Sequence, residues 1–176
     1  NEERSSKAAA RYPGAEVVPD IADAWNGIDL LVVASPNRSH AELALGAVER
    51  DLPVVIDKPL AATLDEAKRV NRAGGRVTVF QNRRWDGDFM TLRSILDEGS
   101  LGQIVRFESR FERFRQEIRD AWRESGDPLD GGGQLADLGA HLIDQAIVLF
   151  GPPNNVYAEV DTRRPGAVTD DDAFIA

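Results

Sequence analysis

GGGQLADLGAHLIDQAIVLFG, at residues 131–151, is an apolar-rich segment of helical length with glycine at both ends. The three leading glycines free the backbone for a tight approach to another part of the chain. Gly151, followed by Pro152 and Pro153, is a strong stop signal for a helix. The pattern predicts one buried helix over residues 134–150.

The polar residues of this segment fall on one side of the predicted helix. Asp137 and His141 are four residues apart and Asp144 follows three later, so all three share a face. The opposite face carries Leu135, Leu138, Leu142, Ala146 and Leu149. Because unpaired buried charge is costly, this polar stripe faces a cleft, a partner or a metal. Three interpretations remain open: a core histidine held by Asp137, a catalytic site, and a metal site.

Composition excludes several functional classes. The chain has 176 residues, 42% hydrophobic and 29% charged, which suits one ordinary or two small globular domains. A net charge of -9 argues against a nucleic-acid partner or an anionic membrane surface, and no apolar run is long enough to span a bilayer. The absence of cysteine excludes thiolate sites and fits the cytoplasm. With two histidines, a His-rich metal site is excluded, so no metal is predicted.

Both ends of the chain resemble cut ends. The sequence starts at Asn1 without methionine and stops at Ala176, just after an apolar run has begun. We expect a fragment of a longer protein.

The first half alternates strand and helix patterns. Apolar runs predict strands at 30–34, 53–57 and 76–81, separated by helices at 40–50 and 63–74. Ser39 with Glu42, and Thr63 with Glu66, have capping-box spacing. This order predicts an open α/β sheet of parallel strands buried on both faces and joined by right-handed crossovers.

The second half follows a different pattern after Arg84. A helix is predicted at 89–98, and polar and apolar residues alternate at 104–113 and 156–162 as in strands with one wet face. A further strand begins at residue 173, and Asp170 to Asp172 is read as a solvated turn. The half is therefore an α+β unit with an open-faced antiparallel sheet.

Polar residues follow each predicted parallel strand, at Ser35 to Asn37, at Asp57 and Lys58, and at Gln81 to Arg84. Ligands of open α/β sheets bind at this edge. Lys58 is either partly removed from water and suited to proton transfer, or a surface lysine.

Two further polar groups have structural alternatives. His40 either meets an anionic ligand or caps a helix, and capping is favoured. Arg83, Arg84 and Trp85 are consistent with a structural cation–aromatic stack.

The chain resembles the Gfo/Idh/MocA family of NAD(P)-dependent oxidoreductases along nearly its whole length. The motifs that carry the resemblance are, in order, VVASPN with His40, DKPL at 57–60, QNRRW at 81–85, LG at 101–102, WR at 122–123 and GGG to DLGAHLID at 131–144. Residues 80–89 and 107–115 look most like the bacterial branch that includes NADP-type scyllo-inositol dehydrogenase.

The resemblance implies a role for each matching residue. Lys58 matches a lysine that binds the substrate hydroxyl beside the nicotinamide, and Asp137 and His141 match the acid and the general acid/base of a catalytic helix. The positions implied to line NAD or NADP are Ser35, Pro36, Asn37, His40, Asp57, Lys58 and Asn82, with Trp122 and Arg123 at the nicotinamide end.

The resemblance also implies the domain organisation. Residues 1–83 match the C-terminal part of a dinucleotide-binding Rossmann domain, and residues 84–176 match a truncated substrate domain that holds helix 134–150. The family's C-terminal sheet commonly mediates oligomers, so the longer protein is expected to be a homo-oligomer.

Two departures from the family pattern stand out. First, Asp57 replaces the usual glutamate. Second, no G-x-G-x-x-G loop is present. The resemblance implies that the chain starts just after the missing strand, so Arg4 is only a distant candidate for a contact to the 2′-phosphate of NADP. We expect the chain by itself to bind dinucleotide poorly.

The resulting hypothesis is a dehydrogenase acting on a secondary hydroxyl of a sugar or polyol, inositol-like, with Lys58 and His141 handling the proton. Asp137 would orient His141 or bind a second hydroxyl. The alternatives are a non-catalytic dinucleotide-binding sensor of the same fold and a metal-dependent hydrolase or lyase using Asp137, His141 and Asp144.

Overall fold

The computed structural model describes residues 2–119 and 121–176. In chain order its elements are α1 (Glu2–Arg11), α2 (Ile21–Ala24), β1 (Leu31–Val33), α3 (His40–Glu49), β2 (Val54–Asp57), α4 (Leu64–Ala73), β3 (Val77–Phe80), α5 (Gly87–Asp97), α6 (Ala140–Phe150), β4 (Ala158–Asp161) and β5 (Asp172–Ile175). Short 3-10 turns lie at Asn37–Ser39, Asn82–Trp85, Trp122–Glu124 and Pro128–Asp130.

The first half forms the predicted parallel sheet. The strands lie in the order β1-β2-β3, with Val33 opposite Ile56 and Asp57 opposite Phe80. Helices α3 and α4 make the two crossovers and pack against each other. The α/β fold class is confirmed, and the carboxyl ends of the strands meet at one edge.

The core lies on one face of this sheet. Ala41, Ala44 and Ala47 of α3 are fully buried, and their small side chains let the helix approach Val54 and Ile56 closely. The prediction of strands buried on both faces is wrong. Successive right-handed crossovers bring their helices to the same side, and Val32 on the other face is 63% exposed.

One of the two predicted capping boxes forms. The Thr63 hydroxyl accepts from the Glu66 N–H at 3.3 Å, and the Glu66 carboxylate accepts from the Thr63 N–H at 3.1 Å. The box at Ser39 is wrong, because this residue has helical rather than extended backbone angles and ends a 3-10 turn. Its hydroxyl instead donates to the Pro36 carbonyl at 2.7 Å.

The second half contains a smaller sheet than predicted. Strands β4 and β5 pair antiparallel, as expected from the alternation. The strand predicted at 104–113 is wrong, because no described segment pairs with it, and Val105 is 91% exposed. This segment is fixed by its aromatic residues instead, and the Phe107 ring packs on Phe150 with 5.2 Å between centroids.

The helix predicted at 134–150 is continuous but irregular. Residues Leu135–Gly139 form a π-helical turn that leads directly into α6. The prediction of a buried helix is only partly right, since His141 is buried but Ile143, Ile147 and Phe150 are each 39% or more exposed. In the described ranges, no helix has the length and apolar character needed to cross a bilayer.

The one-sided core predicts unequal costs for the same substitution on the two faces. Val54→Ala should lower the free energy of unfolding by about 2 kcal/mol, because it removes two methyl groups and leaves a cavity. Val32→Ala should change it by less than about 0.5 kcal/mol, because that side chain is already 63% exposed. Urea unfolding of the 176-residue chain measures both, and equal losses would contradict a core on one face.

Candidate functional site

Lys58 and Asp137 meet in a largely buried ion pair. The Lys58 ammonium donates to the Asp137 carboxylate at 2.9 Å and to the Asp137 backbone carbonyl at 2.7 Å. Their side chains are 13% and 15% exposed. Lys58 is therefore not a surface lysine. It follows β2 at the carboxyl edge of the sheet, where the sequence placed it.

The glycine triplet fixes the chain that carries Asp137. The Gly133 N–H donates to the Arg123 carbonyl at 2.9 Å, and the Leu135 N–H donates to the Asp170 carboxylate at 2.7 Å. A Cβ atom on Gly132 would collide with the Ser125 carbonyl oxygen. Gly133 has φ +94° and would collide with the Asp170 carboxylate. The glycines are thus required where the helix begins.

The acidic run at 170–172 is not a solvated turn, and that prediction is wrong. The Asp170 carboxylate receives the N–H of Leu135 at the start of the π turn. The Asp171 side chain is 4% exposed and accepts from Arg164 at 2.8 Å. Burial raises the pKa of Asp171, but hydrogen bonds from Arg163 and Arg164 outweigh burial and lower it. Asp171 therefore stays charged and holds Arg164, while Asp170 holds the helix start.

Asp137 is held by two cations. Its second carboxylate oxygen accepts from Arg123 Nε at 2.7 Å, and the Arg123 guanidinium lies 4.3 Å from the centroid of the Trp122 ring. Burial pushes the Asp137 pKa up, but the hydrogen bonds from Lys58 and Arg123 outweigh burial and lower it. Asp137 is therefore ionised at neutral pH, and both of its oxygens are engaged.

His141 is buried without a hydrogen-bond partner among the described residues. Its exposure is 5%, and Asp137 does not hold it, because both oxygens of that carboxylate bind cations. Burial lowers the pKa of His141, and the charges of Lys58 and Arg83 lower it further, against the opposing effect of Asp137 and Asp144. The imidazole is therefore neutral at pH 7, with both ring nitrogens available.

Asp144 and the arginines after β3 connect the sheet edge to α6. Arg84 forms a bidentate pair with Asp144, at 2.8 and 2.6 Å, which raises the pKa of Arg84. The predicted cation–aromatic stack forms with a different ring. The Arg83 guanidinium lies 4.9 Å from the Phe111 centroid, whereas Trp85 is 69% exposed.

The backbone N–H of His40 caps the 3-10 turn at Asn37–Ser39, but its side chain neither caps α3 nor faces a ligand in this structure. It is 1% exposed, with Nδ1 2.7 Å from the Pro59 carbonyl oxygen and Nε2 2.9 Å from the Ser35 carbonyl oxygen. It therefore ties the turn after β1 to the loop that carries Lys58. Lys58 and Pro59 are joined by a cis peptide bond.

The turn after β1 is also tied to the second half. The Asn37 amide donates to the Asp130 carbonyl at 2.7 Å, and Arg38 Nε donates to the Asp130 carboxylate at 2.9 Å. Pro36 is exposed at the start of the 3-10 turn. The Asn37 side chain is thus occupied, and Arg38 is a connecting residue that the sequence did not single out.

A cavity of about 260 Å³ lies at the carboxyl edge of the sheet. Its polar lining is Asp57 and Asn82, with apolar walls from Val32, Val33, Ala34, Val55 and Phe80. The carboxamide oxygen of Gln81, at the end of β3, is buried without a partner. The carboxylate of Asp57 and the amide of Asn82 suit hydroxyl groups such as those of a ribose.

A second cavity, of about 410 Å³, lies beside Asp137. Its charged lining is Arg83, Arg113, Arg115, Arg119, Arg123, Glu124, Asp137, Arg164 and Asp170. The sequence did not single out Arg113, Arg115 or Arg119, because nothing in the sequence separates an arginine on a solvated surface from one that lines a cavity. No group of three or more potential metal-ligating side chains lies close together within residues 2–119 and 121–176.

The structure brings together part of the predicted site. Lys58, Asp137 and His141 form one cluster, with Arg123 and Trp122 beside it. Asp57 and Asn82 lie in the adjacent cavity. The side chains of Asn37 and His40 are engaged elsewhere, with Asp130 and with two backbone carbonyls. The Ser35 hydroxyl contacts the Ser39 hydroxyl at 2.6 Å.

Family profiles match both halves of the chain. A profile described as oxidoreductase family, NAD-binding Rossmann fold, matches residues 1–79. A profile described as GFO/IDH/MocA C-terminal domain matches residues 89–176.

Individual relatives match at moderate identity. The oxidoreductase YdgJ of Escherichia coli, itself uncharacterised, is 45% identical over 94% of this chain and 49% of its own length. The scyllo-inositol 2-dehydrogenase (NADP(+)) IolW of Bacillus subtilis is 36% identical over 96% of this chain and 48% of its own length. The chain thus spans about half the length of the curated relatives it matches.

Solved structures share the fold. YvaA of Bacillus subtilis superposes with a TM-score of 0.90 at 35% identity, over 98% of this chain and 50% of that one. The WlbA dehydrogenase of Bordetella pertussis, solved in complex with NADH and UDP-GlcNAcA, has a TM-score of 0.80 at 27% identity, over 98% and 52%.

The charges around His141 predict opposite responses to two substitutions. Arg83→Gln should raise the pKa of His141, because a repelling cation is lost, and Asp144→Asn should lower it, because an attracting anion is lost. A pH titration of the histidine Hε1 resonances by NMR measures both. The chain has two histidines, so a His141→Gln spectrum assigns the signal. Shifts of the same sign in both variants would contradict this electrostatic description.

Proposed function

Since the chain belongs to the Gfo/Idh/MocA family of oxidoreductases, we propose that the longer protein is an NAD(P)-dependent dehydrogenase of a sugar or polyol. The observation that carries this proposal is the buried Lys58–Asp137 pair beside a neutral His141 without a hydrogen-bond partner in the described part of the chain. Oxidation of a secondary alcohol requires a group that takes the hydroxyl proton, and this cluster contains one.

His141 is suited to accept that proton. A general base must be unprotonated at the working pH, and burial together with nearby cations lowers the pKa of His141. The proton passes from the hydroxyl oxygen to a ring nitrogen as the carbon–oxygen double bond forms. In the reverse direction the imidazolium returns the proton to the new hydroxyl group.

Lys58 is suited to hold the reacting oxygen. A lysine ammonium has three N–H donors, and two of them are directed to the Asp137 carboxylate and carbonyl at 2.9 and 2.7 Å. The third is available to a substrate hydroxyl. This donor stabilises negative charge as it develops on the oxygen. Asp137 fixes the position of the ammonium, so we assign it the role of orienting Lys58 rather than His141.

The residues at the sheet edge fit the nicotinamide end of a dinucleotide. Asp57 and Asn82 line the cavity of about 260 Å³, and Lys58 directly follows Asp57 in the chain. Ser35, Pro36 and Asn37 would approach the cofactor through the turn after β1, and Trp122 with Arg123 from the side of Asp137. A bound nicotinamide would accept the hydride of the alcohol carbon, or supply it in reverse.

Sequence similarity to IolW, whose name gives scyllo-inositol as substrate and NADP as cofactor, supports a polyol substrate. We assign residues 1–83 to the dinucleotide-binding domain and residues 84–176 to the substrate domain. We further propose a cytoplasmic homo-oligomer. The absence of cysteine supports the compartment. One apolar face of the β4–β5 sheet supports oligomerisation, since Val160 and Ile175 on that face are 46% and 38% exposed.

The first experiment titrates the full-length protein with NADH and NADPH by fluorescence, followed by a panel of polyols and sugars monitored at the nicotinamide absorbance. Binding with turnover of any polyol or sugar supports the dehydrogenase. Binding without turnover on the whole panel would instead favour a dinucleotide-binding sensor of the same fold.

Substitutions then test the two proton-handling residues. His141→Gln and Lys58→Met should each lower kcat by about 100-fold or more, because each removes a group that acts on the reacting oxygen. Lys68→Met, on the exposed face of α4, is the matched control and should leave kcat unchanged. Circular dichroism checks the fold. Near-wild-type kcat in either site variant would exclude that residue from proton transfer.

A further inference from the structure

The cavity of about 410 Å³ beside Asp137 is strongly basic in a chain of net charge -9. Of the described residues, three carboxylates and six arginines line it, namely Arg83, Arg113, Arg115, Arg119, Arg123 and Arg164. A local excess of positive charge in an acidic protein attracts anions to that position. The cavity therefore differs in charge from the rest of the molecule.

The arginines of this cavity fall into two groups. Arg164 pairs with Glu124 at 2.7 Å, Arg123 pairs with Asp137 at 2.7 Å, and Arg83 pairs with Asp86 at 2.9 Å.

The second group has no such partners. Arg113, Arg115 and Arg119 make no ion pair or hydrogen bond with any residue in the described ranges. Nε of Arg83 is also buried without a partner. The cavity thus holds guanidinium donors that no residue in the described part of the chain satisfies.

Outside the cavity, two arginines that lie earlier in the segment 104–119 do have an acidic partner. Arg110 donates to Glu108 at 2.9 Å, and Arg106 pairs with the same carboxylate. Neither arginine lines the cavity. Along this exposed segment, positive charge is therefore paired outside the cavity, whereas the three arginines that line the cavity have no partner among the described residues. A general preference for arginine in this segment does not explain that contrast.

We propose that the substrate carries an anionic group, a phosphate or a carboxylate, that binds Arg113 and Arg115 in this cavity. Planar guanidinium groups bind such oxyanions through paired hydrogen bonds. Asp137 lines the same cavity and binds Lys58, so an anion held there lies in the space next to the reacting hydroxyl. This inference rests on the proposed dehydrogenase function and narrows its substrate to a phosphorylated sugar or polyol, or a sugar acid.

The experiment uses the full-length protein with Arg113→Met and Arg115→Met, and with Arg110→Met as the control outside the cavity. Calorimetric titration with inorganic phosphate at constant ionic strength measures the anion site without requiring turnover. Kinetics compare glucose with glucose 6-phosphate, glucose with glucuronate, and myo-inositol with inositol 1-phosphate. Fluorescence titration with NADH and NADPH measures cofactor binding in each variant.

We expect each cavity variant to weaken phosphate binding by about 10-fold or more and to raise KM for the anionic substrate by a similar factor. Cofactor Kd, KM for the neutral substrate and all constants of Arg110→Met should stay unchanged. Phosphate binding that is absent, or insensitive to both variants, would overturn the proposal. So would a preference for the neutral member of each pair.

Two outcomes separate this proposal from others. If the variants raise the Kd of NADH or NADPH instead, the arginines bind cofactor phosphates and the proposal is wrong. If phosphate binding depends on Arg113 and Arg115 but no substrate turns over, the anion site is supported and the dehydrogenase function fails.

Discussion

The ion pair between Lys58 and Asp137 sets the geometry of the whole site. The two side chains are 13% and 15% exposed, and removal of one partner from a buried ion pair costs on the order of 3–5 kcal/mol. The pair joins the end of β2 to the π turn, two points 79 residues apart in the chain. Weaker contacts reinforce the same junction, through Arg84 with Asp144 and Arg38 with Asp130.

Local sequence signals predicted the elements that depend on neighbours along the chain. The three parallel strands and the Thr63 cap form as expected, since apolar runs and the Thr63–Glu66 spacing act within a few residues. Features that need a distant partner were predicted less well. The alternation at 104–113 is that of a strand, but a strand requires a neighbour to pair with, and no described segment supplies one. Likewise, the apolar run that contains Val32 does not show which face of the sheet the crossover helices cover.

The candidate site was likewise predicted only in part. Lys58 and His141 stand out because a polar group at a strand end or in an apolar helix is chemically conspicuous. Their hydrogen-bond partners could not be predicted from sequence spacing. Asp137 lies closer in sequence to His141 but binds Lys58 and Arg123. Arg113 and Arg115 were missed, since an exposed arginine beside solvent and one facing a cavity have the same sequence signature. Only the three-dimensional placement of their carboxylate neighbours separates the two.

The π turn at Leu135–Gly139 controls the phase of helix α6, which carries His141. A π turn contains one more residue than the α turn it replaces, and each residue of an α-helix advances the direction of the side chains by about 100°. Upstream, Gly133 and Leu135 are anchored to Arg123 and Asp170, so the phase is fixed at that end. Loss of one residue within the turn would preserve the helix and its length almost entirely. It would nevertheless rotate His141 by about a quarter turn relative to Lys58. The cluster of Lys58, Asp137 and His141 would then be lost, although all three side chains would still be present in the chain.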